Sequence, residues 1–151
     1  MVKDIVGKNR GRGRGGEGGD GRHFRGVLWK FALLCVPVRF LMVYIAMRVG
    51  RWSGDGGRGG GLYLKAMGVV GLAIGLGFMY LHFSGMRPLS VAGDKAWWNR
   101  AVHSVFYLAF GVRALMGDQD AYLFLLGDVV YGIGSFVKHH VANGDFQKLL
   151  R

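Results

Sequence analysis

The chain has 151 residues, enough for one domain, and combines a hydrophobic content of 51% with 20 Lys+Arg, 9 Asp+Glu and 28 glycines. Charge and glycine cluster where the apolar residues do not, which argues against an ordinary soluble enzyme domain. The single cysteine, Cys35, excludes an intramolecular disulfide framework and a Cys-rich zinc site.

Residues 1–26 hold nine glycines, five arginines and two lysines. Such a segment buries too little apolar surface to offset its backbone entropy and is expected to be disordered on its own. Its basic residues Lys8, Arg10, Arg12, Arg14, Arg22 and Arg25 form an extended arm. Its Arg-Gly repeats resemble segments that bind nucleic acid through phosphate charge, although His23 and Phe24 are its only ring-bearing residues for base stacking. Anionic lipid headgroups, a protein partner and nucleic acid remain open as its target, beside a merely solubilising tail.

Four apolar runs follow. The first, Val27–Val49, is interrupted by Lys30, Arg39 and Arg48. Arg39 falls near its centre, where an unpaired arginine costs roughly 2.5–3.5 kcal/mol on insertion scales, and Pro37 is expected to kink it. The three charges lie nine residues apart on alternating faces, so no interfacial polar stripe forms; a kinked span and a surface or re-entrant helix both stay open. About 26 polar residues precede this run, unlike a cleavable signal peptide. Gly50–Gly61, with seven glycines in twelve residues, extends to residue 65 as an expected flexible loop.

The second run, Ala66–Phe83, has 18 residues without a formal charge and meets the length of a span. Gly68, Gly71 and Gly75 share one of its faces, and residues 71–75 form a GxxxG that lets helix backbones approach closely in lipid. After a loop over 84–100, Ala101–Met116 and Ala121–Val137 are joined through Gly117-Asp118-Gln119-Asp120 as a tight antiparallel hairpin over residues 101–140, followed by a basic tail over 141–151. Trp97, Trp98 and Lys138 supply interfacial ends for these shorter spans. With four spans and the N-terminus inside, fourteen Lys/Arg fall inside and four outside (Arg48, Arg51, Arg58, Lys65); three spans give twelve and six. The positive-inside tendency therefore favours an all-α chain of four transmembrane helices over one of three.

Chemistry-bearing residues concentrate in the hairpin. His103 and Tyr107 share a face of the third run, as do Asp128, Tyr131, Ser135 and His139 on the fourth. Folding about residue 118 or 119 sets Asp128 level with residue 109 and His103 level with residue 134, so that His103, Tyr107, Asp128 and Ser135 form a polar seam with Arg113 as a further partner of Asp128. A hydrogen-bonded seam that fixes register is the plainer reading, and Asp128→Asn would then soften stability by about 1 kcal/mol if its bonds are partly kept. A proton or ion path is the sharper one. A metal or haem site would need His103, His139 and His140, yet adjacent His139 and His140 point about 100° apart on a helix. Cys35, in an apolar run with no nearby histidine, reads as an inert thiol. Nothing here spells a catalytic constellation, a cofactor or a metal site, and no GxxxxGK[ST] occurs.

The spacing of Trp97-Trp98-Asn99-Arg100, His103, Tyr107-Leu108, Leu125-Leu126-Gly127-Asp128-Val129-Val130, Gly132 and His139-His140 resembles that of small multi-pass membrane proteins of large double-stranded DNA viruses of algae and protists, such as the chloroviruses. The resemblance covers residues 95–140. It implies a component of the internal virion membrane, or a minor capsid protein joining that bilayer to the shell, with capsid or other virion proteins as partners. A host endomembrane location remains the alternative. The expectation is a non-enzymatic structural protein; a small transporter or channel-like subunit and a membrane-tethered nucleic-acid binder are its rivals.

Overall fold

Long apolar stretches interrupted by a single proline wind into helices, and the computed structural model is all-α. It describes residues 26, 28–54, 59–84 and 99–147. The basic arm up to Arg25, most of the 84–100 loop with Trp97 and Trp98, and the last residues of the tail lie outside the described residues.

Helix α1 is Val36–Gly54 and continues a π-helical stretch, Phe31–Cys35, so that one helical run covers Leu28–Gly54. Proline lacks the N–H that an α-helix needs. The wide turn ends two residues before Pro37, with the Val36 N–H bonded to the Phe31 carbonyl, so the local winding changes where the sequence places the kink.

Helix α2 is Gly60–Phe83. The expected flexible loop over 50–65 is therefore mostly helix, because several of its glycines serve close approach rather than freedom. A Cβ on Gly60 would lie 2.5 Å from the Ser53 backbone nitrogen, and one on Gly50 would lie 2.6 Å from the Gln119 carbonyl oxygen. Backbones can meet at these distances only where no Cβ stands between them.

Helix α3, Arg100–Leu115, begins at Asn99, whose side chain accepts a bond from the Ala101 N–H. It ends in a Schellman turn at Gly117 (φ 81°), with Gly117 N–H bonded to the Ala114 carbonyl and Asp118 N–H to that of Arg113. A short 3₁₀ turn, Gln119–Ala121, leads into α4, Tyr122–Ala142, which closes with a second Schellman turn at Gly144.

Each helix packs against its two neighbours in the ring α1–α2–α3–α4, and the α2–α3 pair is the most extensive. Contacts between residues 53 and 60, 68 and 111, 106 and 127, and 31 and 136 run antiparallel, giving an up-down-up-down four-helix bundle. Leu64, Phe110, Leu125 and Val129 fill its centre, and Phe31 stacks on Phe136 at 4.1 Å near one end. The outward faces stay apolar: Leu33, Leu62 and Val130 are each more than 60% exposed. Three runs, Leu28–Gly54, Gly60–Phe83 and Gln119–Ala142, are long and apolar enough to cross a membrane. At 16 residues, α3 is shorter.

Candidate functional site: a buried ion cluster

The α2–α3 interface is built from small residues on both sides. Gly68 and Gly75 lie seven apart on α2, and Gly111 and Ser104 lie seven apart on α3. A Cβ on Gly68 would come 2.9 Å from the Gly111 carbonyl, and one on Gly71 would meet the Phe110 ring at 2.5 Å. The glycine face is thus occupied within the chain, by α3. Ser104, fully buried, donates its hydroxyl to the Gly75 carbonyl at 2.7 Å. The sequence reading did not single out Ser104, although its seven-residue spacing from Gly111 repeats that of Gly75 from Gly68.

This close pairing holds the inner face of α3 in the middle of the bundle, where His103 is fully buried. Its Nδ1–H donates to Asp128 Oδ1, and Arg39 Nη1 donates to Asp128 Oδ2 at 2.7 Å. The carboxylate can only accept, so the Nδ1 proton faces it. The 3.4 Å approach of Arg39 Nη1 to the same Nδ1 is then a contact between two donors rather than a bond. Side-chain exposure is 10% for Arg39, 1% for Asp128 and 0% for His103. Three helices therefore join at one carboxylate.

The surroundings close the cluster off. Tyr131 meets the His103 ring edge-on at 5.5 Å, and Phe78 lies 5.8 Å from the Tyr107 ring and 6.4 Å from that of His103. Gly132 borders the cluster, and a Cβ there would only touch Arg39 Nη1 at 3.4 Å and His103 Cε1 at 3.5 Å in ordinary contact. An arginine beside a carboxylate neutralises it locally and supplies fixed donors, so the arrangement suits holding charge in place.

The remaining residues of the expected seam divide. Tyr107 is buried, and its hydroxyl lies 4.0 Å from Met42 Sδ rather than on the carboxylate. Ser135 is half-buried and makes none of these bonds. Arg113 pairs instead with Asp118 at 2.5 Å, a half-exposed contact in its own C-terminal turn. The hairpin register also differs from expectation, because Asp128 meets His103 and not the level of residue 109. Helix α3 ends where expected, at the Gly117 turn, but Gln119–Ala121 lies against the end of α1 with Ala121 fully buried, so α4 starts inside the bundle.

The other histidines sit apart from the cluster. His140 is buried against Phe136 and bonds Asp145 at 2.8 Å through the Gly144 turn, while the Asn143 amide donates to His139 Nε2 at 3.0 Å. His139 is eleven residues along α4 from Asp128, about 16 Å. The structure therefore does not bring His103 together with His139 and His140. Cys35, one turn before Arg39, is half-buried and free. No family model, curated protein or solved structure matches the chain.

Proposed function

We propose that the chain is a structural multi-pass membrane protein whose helices α1, α3 and α4 are pinned at mid-depth by the Arg39–Asp128–His103 cluster. The observation that carries this reading is that the two formal charges between the bundle's ends face inward and bond each other, while the outward surface stays apolar. Charges placed this way hold helices in register within lipid. Within that reading, the proposed role is a component of an internal virion membrane whose basic arm over 1–26 reaches capsid or other virion proteins, supported by the resemblance of residues 95–140. Quantitative proteomics of purified particles, before and after mild detergent stripping, tests that role. Fixed stoichiometry with the major shell protein and retention on stripped shells support it, and absence from particles overturns it. Deleting residues 1–25 should leave membrane insertion intact and remove recruitment, whether the arm's partner is protein or nucleic acid.

A second reading draws on the same cluster, because ionisable side chains at mid-depth also mark proton and ion paths. In a small transporter or channel-like subunit, Asp128→Asn would abolish flux into proteoliposomes. In a structural protein it changes stability alone.

A further inference from the structure

The exposed charges of the described residues lie in two rims. On α1 and the turn before it, Lys30 and Arg48 are eighteen residues apart, about 27 Å at the helical rise. On α2, Lys65 and His82 are seventeen apart, about 25 Å. Asp120, in the 3₁₀ turn that leads into α4, and Lys138, near the far end of α4, are again eighteen apart, about 27 Å. On α3, Arg100 and Arg113 are closer, and both heads are held at the ends, Arg100 on the Leu81 carbonyl at 3.0 Å and Arg113 on Asp118 at 2.5 Å.

Interhelix contacts make these rims level with one another. The Phe31–Phe136 stack puts Lys30 beside Lys138, and the Gly50–Gln119 approach puts Arg48 beside Asp120. The approaches of Gly60 to Ser53 and of Gly68 to Gly111 carry the same plane to Lys65 and Arg113. Between the rims, exposed positions such as Leu34, Leu41, Val69, Leu76 and Val130 are uncharged. Arg39 stands nine residues from each α1 rim residue, so the paired charges mark the midplane.

We propose that this lateral surface is a lipid-facing belt matched to a thin bilayer, with a hydrocarbon core of about 25–27 Å rather than the roughly 32–33 Å of a sterol-rich plasma membrane. The inference rests on the membrane reading above and adds the class of membrane. Tilting shortens the height that a bundle of fixed length spans, so the rims cannot reach the faces of a thick bilayer. Such a bilayer must thin locally, at a free-energy cost that grows with each ångström of mismatch. The matched belt also places all four helices, α3 included, across the same slab.

The test uses the full chain in phosphatidylcholine vesicles with dimyristoleoyl, dioleoyl or dierucoyl chains. Flotation reads insertion, and quenching of the intrinsic tryptophans by brominated lipid in competition with each test lipid reads relative affinity for the belt; Trp29 and Trp52 are exposed near opposite rims. The expected result is flotation with binding strongest for the short-chain lipids and roughly threefold or more weaker for dierucoyl chains. Equal binding at all chain lengths, or strongest binding to dierucoyl chains, overturns the thickness match and leaves the membrane reading standing. Failure to float with any vesicle overturns both.

Discussion

Removing Arg39 should be far more damaging than removing both members of its ion pair. Arg39 donates to Asp128 at 2.7 Å, and the carboxylate is 1% exposed. Arg39→Met leaves that carboxylate buried with His103 as its remaining partner in the cluster. Breaking a buried pair from one side costs about 3–5 kcal/mol. Asp128→Asn keeps an acceptor for His103 but removes the carboxylate that balances the Arg39 charge at mid-depth, which costs up to roughly 2.5–3.5 kcal/mol. That exceeds the roughly 1 kcal/mol expected of a hydrogen-bonded seam alone, because a charge and not only a bond loses its partner. If the pair acts as a unit, Arg39→Met with Asp128→Asn removes both charges and costs about 1 kcal/mol or less, since apolar replacement of a buried pair is often neutral. Reversible unfolding by SDS titration from mixed micelles, followed by circular dichroism, measures all three variants. A double variant as unstable as the sum of the two singles would refute coupling across the cluster.

Three further outcomes follow from the packing. Gly68→Val should destabilise the bundle by about 1–3 kcal/mol, because its Cβ meets the Gly111 backbone at 2.9 Å, whereas Gly77→Ala, with nothing within 4 Å, should be neutral or stabilising; the same titration separates them. Ser104→Ala removes the 2.7 Å bond to the Gly75 carbonyl and should cost about 0.6 kcal/mol, near the average for polar pairs between membrane helices, measured as a midpoint shift with unchanged helix content. Gly117→Ala, at φ 81°, should cost about 1–2 kcal/mol and loosen the α3–α4 turn, detected as faster amide exchange in residues 116–121.

The apolar runs were legible in the sequence because lipid-facing helices announce themselves by length and lack of charge, and three of them appear as long helices. The glycine face at residues 68, 71 and 75 was legible for a similar reason, since small residues at helical spacing have few other uses in an apolar run. The pairing of Asp128 with His103 was legible too, as part of the expected seam, but its arginine partner was not. Depth counted from the hairpin turn brought Arg113 into consideration, but the turn is not a simple tip: after Gly117 the chain crosses to α1 and Ala121 is drawn into the bundle. Arg39 carried a legible requirement for a partner, yet it lies 89 residues from Asp128, and only the packing of α1 against α4 joins them. The glycine tract at 50–61 misled for a different reason. Composition marks glycine without revealing whether it provides freedom or, as at Gly50 and Gly60, space for a neighbouring backbone.

The most direct test of the central claim is a solid-state NMR measurement on the full chain in short-chain phosphatidylcholine bilayers, reading the dipolar coupling between ¹⁵N-labelled arginine guanidinium and ¹³C-labelled aspartate carboxyl. Arg39→Met removes the contribution of the cluster and leaves that of the Arg113–Asp118 pair as background. The account requires a strong coupling assigned to Arg39 and Asp128 by that difference, as expected for a nitrogen 2.7 Å from a carboxylate oxygen. Spectra identical with and without Arg39 would contradict it.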